Sequence, residues 1–207
     1  MKGKLTALLL AMAVVLLAAS AGLAANVVLE DKFTTLDPAW GVEPSADVNA
    51  KDGKLTITTP IKGETNLLNE SNILPNDMEA NYTIAFVKAG SPRAGSGLIF
   101  WGKDTNTYYA LQISNEGGVA VFRELSGRVL MPVAWRQDAA IKQGVGAENQ
   151  IKLVTKGNQG TIFINGKQVG TFVGEPPEGG SLIGFEVDSG PEGQNTVAFS
   201  NFKVLGP

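Results

Sequence analysis

The stretch NQIKLVTKGNQGTIFINGKQVGTFV, residues 149–173, decides the fold. It predicts three successive strands. Side chains alternate in character along 151–156, and Gly157-Asn158-Gln159-Gly160 then turns the chain. The apolar run 161–164 ends at Asn165-Gly166, which suits a two-residue type I′ turn because both central residues need a positive φ. A meander of this kind cannot bury its apolar face alone, so the remaining chain is expected to complete a two-sheet sandwich.

The rest of the sequence repeats this pattern of short strands. From residue 27 onward, β-rich runs recur at spacings of about 10 residues, separated by Gly, Pro, Asn and Asp. We find no amphipathic helix of useful length, no internal repeat and no linker rich enough to divide the chain. The sequence therefore predicts an all-β protein with one antiparallel sandwich domain at residues 26–207.

The first 25 residues have the features of a signal peptide. Lys2 and Lys4 form a basic start, residues 5–19 are apolar and uncharged, and 20–25 are mostly small residues suited to cleavage. The apolar run is short for a transmembrane helix, which needs about 20 residues, although an uncleaved membrane anchor is the alternative interpretation. We expect cleavage, a secreted or periplasmic mature protein, and no membrane span after it.

Composition excludes several classes of function. The chain has 17 basic and 20 acidic residues, a net charge of −3, and no basic cluster, which argues against a nucleic-acid partner or an anionic membrane surface. Cysteine and histidine are both absent, so disulfides, thiol nucleophiles, Ser-His-Asp triads and nearly all zinc sites are excluded. Catalysis would rest on Asp, Glu, Lys, Tyr or a cofactor. No cofactor is predicted, although a bound Ca²⁺ fits the available oxygen ligands.

The order of the motifs resembles a known group of folds. The pieces are Leu29-Glu30-Asp31-Lys32-Phe33 with Leu36-Asp37-Pro38-Ala39-Trp40, Gly97 to Trp101, Tyr109 to Ile113, Asn149 to Leu153, Ile164-Asn165-Gly166 and Val197 to Phe202. Over residues 29–205 they are similar to concanavalin A-like lectin/glucanase jelly rolls, laminin-G-like domains and the secreted bacterial 3-keto-disaccharide hydrolase-like family. The resemblance implies two large antiparallel sheets, with a saccharide often held on a concave face and sometimes a Ca²⁺ ion at a sheet edge.

Strand alternation gives a candidate ligand face. We assign to the core the side chains of Phe100, Tyr109, Leu111, Ile113, Phe185 and Val187. The opposite face then carries Trp101, Ala110, Gln112, Glu186 and Asp188. An aromatic ring can stack on a sugar, and polar side chains can orient its hydroxyls. The competing interpretation is that Trp101 packs beneath a loop and the two acids are merely solvated.

Further charged and aromatic residues are candidates for the same face. Arg123 and Arg136 could donate hydrogen bonds there, although solvated charges at strand ends are the simpler interpretation. Trp40 and Trp135 lie next to turns and are expected to be structural. Glu186 and Asp188 stand two apart on one strand face, as a surface pair, a Ca²⁺ ligand set or an acid/base pair.

The carboxylates match the glycoside hydrolase family 16 signature E-x-D-x-E only in part. Glu186-Val187-Asp188 fits its first half, but Glu192 is displaced beyond a Gly-Pro turn. The catalytic roles are therefore not carried over. The sequence predicts an exported, non-catalytic binding module for a glycan or a cell-envelope partner, using Trp101, Gln112, Glu186, Asp188 and Arg123. The alternatives are a glycoside hydrolase or lyase-type enzyme with Glu186 and Asp188 as its pair, and a structural or adhesion domain.

Overall fold

A computed structural model describes residues 26–207, and the predicted signal peptide at 1–25 lies outside the described residues. The described chain forms fourteen strands and one short 3₁₀ helix. The strands are β1 (Asn26–Asp31), β2 (Val48–Lys51), β3 (Lys54–Thr59), β4 (Glu64–Leu74), β5 (Met78–Lys88), β6 (Ser96–Asp104), β7 (Thr107–Ile113), β8 (Gly118–Leu125), β9 (Arg128–Gln137), β10 (Glu148–Lys156), β11 (Gln159–Ile164), β12 (Lys167–Val173), β13 (Ser181–Asp188) and β14 (Asn195–Gly206).

These strands form two antiparallel sheets. The eight-stranded sheet has the order β12-β11-β10-β5-β14-β3-β2, with β1 also paired to β14. The six-stranded sheet has the order β4-β13-β6-β7-β8-β9. All the pairings are antiparallel, and many join strands distant in sequence, as in a jelly roll. The prediction of an all-β, two-sheet jelly-roll sandwich is confirmed.

The meander of residues 149–173 is β10, β11 and β12, as predicted. Asn165 and Gly166 both have positive φ, 51° and 79°, as a type I′ turn requires. The first turn is tighter than expected, because Gln159 already pairs with Lys156 and only Gly157 and Asn158 connect the strands. The apolar sides of Ile151, Leu153 and Ile162 are buried between the sheets. The meander thus forms one end of the larger sheet.

A cluster of aromatic rings fills the core between the sheets. Phe33, Trp40, Phe185 and Phe202 pack with ring centroids 5.1–6.2 Å apart, in the tilted, stacked and edge-on arrangements usual for buried aromatic rings. Trp40 sits in the 3₁₀ helix Pro38–Trp40, and its indole N–H donates to Asp31 Oδ2 at 2.7 Å. The structural role expected for Trp40 is confirmed.

No helix within residues 26–207 is long and apolar enough to cross a membrane. The only helix of this part of the chain is the three-residue 3₁₀ segment beside the core. The sandwich is therefore held together mainly by packing between the two sheets, to which Trp40 of this segment adds its ring.

Candidate functional site

A small cavity lies on the face of the six-stranded sheet that points away from the eight-stranded sheet, here called the outer face. The cavity has a volume of about 180 Å³. Its lining residues are Glu64, Tyr108, Gln112, Phe122, Glu124, Val129, Glu186 and Asp188. Beside it, a separate apolar cluster covers the middle of the same face, formed by Leu68, Ile99, Tyr108, Ala110 and Leu182. Four of the eight lining residues carry carboxyl groups and none is Lys or Arg, so the site disfavours anionic ligands.

Two glycines at the start of β6, Gly95 just before the strand and Gly97 within it, make room for the floor of this cavity. Gly97 is paired with Glu186 on one side and with Gln112 on the other. Because Gly97 has no side chain, the glutamate and the glutamine meet across it. Gly95 contributes in the same way, since a Cβ there would stand 2.1 Å from Gln112 Oε1. The sequence GSG at 95–97 therefore creates a depression in an otherwise continuous sheet surface.

Glu186 is the most unusual group in the cavity. Its side chain is only 6% exposed, and its Oε2 has no hydrogen-bond partner among the described residues. Burial, followed by the negative charge of Glu64, raises the pKa of Glu186 to about 8, whereas the side-chain amide of Gln112 acts in the opposite direction. Asp188 and Glu124 add smaller repulsions to this pKa shift. At neutral pH, Glu186 is therefore a neutral acid that can donate a hydrogen bond.

A hydrogen-bonded group borders Glu186 on the β4 side. Asn66 Nδ2 donates to Glu64 Oε1 at 2.7 Å and to the Tyr108 hydroxyl at 3.0 Å. That hydroxyl donates to Glu64 Oε1 at 3.2 Å. Burial, followed by the charges of Glu186 and Glu64, raises the pKa of Tyr108, which keeps the phenol protonated. The hydrogen bonds among these three side chains therefore hold this side of the cavity in place, and the group still presents polar atoms to the cavity.

Asp188 and Glu124 lie on opposite sides of the floor. Asp188 is half-buried, and its Oδ1 accepts the backbone N–H of Gly190 at 3.0 Å. Glu124 Oε1 accepts the backbone N–H of Gly127 at 2.7 Å, in the β8–β9 hairpin. The structure thus brings together three of the predicted residues, Gln112, Glu186 and Asp188. Their placement on one face is confirmed, and their role in ligand binding stays a prediction.

The placement of Trp101 on this face is wrong. The pairing of β6 with β7 is regular up to Phe100, shifts register, and resumes only at Asp104. Trp101 takes a left-handed backbone conformation, with φ of 46°, which breaks the alternation of side chains at this point. Its ring is 2% exposed in the core, edge-on to Tyr109 at 5.4 Å, and its indole N–H donates to the Asn76 carbonyl at 3.0 Å. Trp101 therefore cannot stack on a ligand at the outer face.

Arg123 and Arg136 also lie away from the cavity. Arg123 pairs in register with Tyr109, whose ring points inward, and its guanidinium lies 5.3 Å from the centroid of that ring. Arg123 Nη2 is bound to Glu175 Oε2 at 2.7 Å, which ties the 174–180 loop to the sheet. The prediction that Arg123 adds a donor to the ligand face is wrong. Arg136 is bound to Asp138 and to the Val169 carbonyl.

Sequence reasoning missed five of the eight residues that line the cavity. Tyr108 and Phe122 could have been found by extending the alternation, because they stand on the same strand faces as Ala110 and Ala120. Glu124 continues the same alternation beyond Phe122, whereas Glu64 could not have been found, because β4 joins the site only through its pairing with the distant strand β13. Trp135, expected to be structural, is partly exposed and lies against Gly118 on the outer face.

The loop aspartates that could offer oxygen ligands to a Ca²⁺ ion have other contacts. Asp31 accepts the indole N–H of Trp40 and the backbone N–H of Phe33, and Asp37 accepts the N–H of Ala39. Within residues 26–207, no group of three or more acidic side chains is arranged to hold a metal ion. A Ca²⁺ ion stays a prediction that the described geometry does not support.

The fold and the outer-face cavity define a concanavalin A-like jelly roll with a polar site on one sheet. The chain belongs to the family of 3-keto-alpha-glucoside-1,2-lyase-like domains, whose model matches residues 29–205. Sequence comparison with curated proteins gives no match.

Solved structures agree on the architecture. The catalytic domain of an endo-1,3-beta-glucanase (laminarinase) from Thermotoga petrophila matches with a TM-score of 0.62 at 9% identity, covering 87% of this chain and 97% of that one. The carbohydrate binding module CBM66 from Bacillus subtilis matches with a TM-score of 0.51 at 16% identity, covering 79% and 90%. A functionally unknown protein from Saccharomyces cerevisiae matches with a TM-score of 0.57 at 13% identity, covering 80% and 95%. At these identities the likeness describes the fold.

Proposed function

We propose that this protein is an exported carbohydrate-binding protein whose ligand enters the outer-face cavity and is held by Glu186, Gln112 and Tyr108. The observation that carries the proposal is the unpartnered Oε2 of Glu186, buried at the base of the cavity. A buried polar atom without a partner costs free energy, and a ligand hydroxyl would remove that cost. Export rests on the sequence of residues 1–25.

The chemistry of the cavity suits a neutral sugar. Carboxyl, amide and phenol groups offer both donors and acceptors, while Phe122 and Val129 supply an apolar side. Sugars present the same combination of hydroxyl edges and apolar ring faces. The family name refers to an α-glucoside, and two structural neighbours are named for carbohydrate binding and glucan cleavage, which supports this choice of ligand class.

Isothermal titration calorimetry with a panel of glucosides tests the proposal. Gln112→Ala and Glu186→Ala should each weaken binding at least tenfold, because each removes a floor hydrogen bond. The matched control is Glu148→Ala, which truncates an exposed glutamate of β10 on the other sheet. Site variants that bind as tightly as the wild type would overturn the assignment of the site.

The pH dependence of binding gives a second test. Glu186 donates to the ligand only while it is protonated, so wild-type affinity should fall as the pH rises through about 8. Glu186→Gln keeps a neutral side chain of the same shape. We expect this variant to bind at pH 6 within a few fold of the wild type and to show a flat profile up to pH 9.

A second candidate function is lyase-type catalysis, favoured by a carboxylic acid that holds its proton at neutral pH beside further carboxylates. In a 3-keto-glucoside, the ketone acidifies the proton on C2. A base such as Asp188 would remove that proton, the C1–C2 double bond would form, and the C1–O bond would break. The departing oxygen would take the proton of Glu186, so one proton is removed and one delivered.

One variant separates the two functions. Under the catalytic hypothesis, Glu186→Gln should bind a 3-keto-glucoside but cleave it at least a hundredfold more slowly, because glutamine cannot deliver a proton. The rate of the reaction is measured by chromatography, as the amount of free alcohol or sugar released over time. Full turnover by the variant would exclude this mechanism, and no turnover by the wild type with saturable binding would leave the binding function alone.

A further inference from the structure

Trp135 lies across β8 on the outer face, with its ring against the backbone of Gly118. A Cβ on Gly118 would stand 2.5 Å from Cζ2 and 2.6 Å from Cε2 of the indole, so only glycine admits the ring in this position. The neighbouring side chain on the same face is Ala120, which is also small and fully buried. Trp135 itself is partly exposed. The ring thus lies against the small residues of β8 and keeps part of its surface exposed.

Phe122 connects this ring to the cavity. It stands on the same face of β8 as Gly118 and Ala120, and it lines the cavity. The centroids of Phe122 and Trp135 are 6.3 Å apart, with the planes tilted by 38°. An uninterrupted apolar strip therefore runs from the edge of the cavity along β8 to the indole.

The size of the cavity shows why this strip matters. At about 180 Å³ the cavity is well below the 300–1,000 Å³ usual for pockets that enclose a drug-sized ligand. It holds a single sugar ring, so any group attached to that ring must lie outside it. On the β4 and β13 side the exit is bordered by Glu64 and Asp188. On the β8 and β9 side it is bordered by Phe122 and Val129, with Glu124 beside them. An attached ring meets apolar surface only on the second side.

We propose that Trp135 and Phe122 form a second subsite, which takes the ring joined through the glycosidic oxygen to the sugar in the cavity. The protein then recognises two-ring glycosides, meaning a disaccharide or a sugar with an aromatic aglycone, in preference to a free monosaccharide or a simple alkyl glycoside. This inference rests on the proposed carbohydrate-binding function of the cavity. Its basis is the flat face of the indole, which can stack on the apolar face of a second ring.

Calorimetric titration with three glucosides tests the subsite. Methyl α-glucoside fills the cavity alone, whereas maltose adds a sugar ring and 4-nitrophenyl α-glucoside adds an aromatic one. In the wild type, at least one two-ring ligand should bind tenfold or more tightly than methyl α-glucoside, and the better of the two identifies the kind of aglycone. In Trp135→Ala this advantage should disappear, while the affinity for methyl α-glucoside stays within about twofold.

Two further variants guard against a folding artefact. Trp135→Phe keeps a ring and should retain part of the advantage. Gly118→Ala keeps the tryptophan but pushes its ring away, because the new Cβ cannot share its position. It should therefore reduce the advantage without removing an aromatic residue. The melting temperature of each variant verifies that it is folded.

The possible outcomes distinguish a failure of the proposed subsite from a failure of the proposed carbohydrate-binding function. If Trp135→Ala weakens all three ligands equally, the residue only supports the cavity and the subsite is refuted, while the carbohydrate site stands. If two-ring ligands bind wild type no better than methyl α-glucoside, the subsite is also refuted. If wild type binds none of the three, both the proposed function for glucosides and the subsite fail together.

Discussion

The carboxyl of Glu186 and the amide of Gln112 face each other across Gly97. These three residues lie side by side on adjacent strands, since Gly97 pairs with Glu186 of β13 and with Gln112 of β7. Any side chain at position 97 would meet the Leu111 carbonyl at 1.9 Å, so the glycine is a requirement of the strand pairing as well as of the site. The same backbone feature therefore permits the sheet and opens the cavity floor.

Gly95→Ala is expected to displace Gln112 and raise the pKa of Glu186 above its wild-type value of about 8. The new Cβ would stand 2.1 Å from Oε1 and 2.9 Å from Cδ of Gln112, so the amide must move and its stabilisation of the ionised carboxylate is lost. A carbon-13 NMR titration of the Glu186 carboxyl measures the shift. Gly193→Ala is the control, because the nearest atom to its Cβ is an ordinary 3.6 Å away. An unchanged titration in Gly95→Ala would contradict the role given to Gln112.

Glu186→Gln is expected to stabilise the fold at high pH. The pKa of Glu186 is about 8 in the folded protein, whereas an ordinary, solvated glutamate has a pKa of 4.5. As the pH rises between these values, the unfolded chain loses the proton while the folded one retains it. The contribution of the protonated Glu186 to the free energy of unfolding is therefore fully present below pH 4.5. It falls as the pH rises to about 8, and it is lost above that pH.

The size of this effect is on the order of a few kcal/mol, from about 1.4 kcal/mol per pKa unit. Urea unfolding at pH 5, 7 and 9 measures it, as the difference in free energy of unfolding between variant and wild type. That difference should grow steadily with pH for Glu186→Gln. Glu148→Gln, at an exposed position, should show a difference that does not grow. A difference independent of pH at position 186 would contradict the raised pKa.

Trp101→Ala is expected to destabilise the fold strongly without affecting the ligand site. The ring is packed against Phe100, Tyr109 and Phe172 in the core, and its removal should cost about 3–5 kcal/mol. Trp101→Phe keeps most of the packing and loses the hydrogen bond to the Asn76 carbonyl. That carbonyl still accepts from Thr155 Oγ1 at 2.6 Å, so the lost bond should cost only about 1 kcal/mol.

Chemical denaturation gives these free energies, and sugar titration of the folded variants gives the affinity. We expect affinities within twofold of wild type for both variants, because the ring lies on the inner face. A folded Trp101→Phe protein with weakened sugar binding would show that Trp101 supports the outer face after all.

The contrast between Trp101 and Glu186 shows which parts of the site can be predicted from the sequence. Alternation placed Glu186, Asp188 and Gln112 correctly because β7 and β13 keep a period of two through those positions. The alternation pattern places Trp101 on the wrong face because this non-glycine residue adopts a positive φ, which the neighbouring sequence does not predict. Arg123 was misplaced for a different reason, since its face depends on the register of β8 against β7, and register depends on the whole sheet. The fold was therefore more predictable than the site.

Asn165 gives the sharpest test of the meander itself. Its backbone needs a positive φ, and its side chain bonds to two neighbouring segments, the 138–142 connection and β10. The amide nitrogen donates to the Ala140 carbonyl and to Asn149 Oδ1, both at 2.8 Å, and the amide oxygen accepts the N–H of Gln150 at 3.0 Å. The turn residue thus also ties the 138–142 connection to the sheet.

Asn165→Gly and Asn165→Ala separate these two contributions. Glycine keeps the positive φ but loses the three hydrogen bonds, which should cost roughly 1–3 kcal/mol because buried partners are left unpaired. Alanine loses the same bonds and adds about 1 kcal/mol of backbone strain in the left-handed region. Urea unfolding of both variants measures the two steps. The control is Asn158→Ala in the preceding turn, where the side chain is exposed and φ is not positive, so the cost should be within about 0.5 kcal/mol. Equal stabilities for Asn165→Gly and Asn158→Ala would show that the turn acts through its backbone alone.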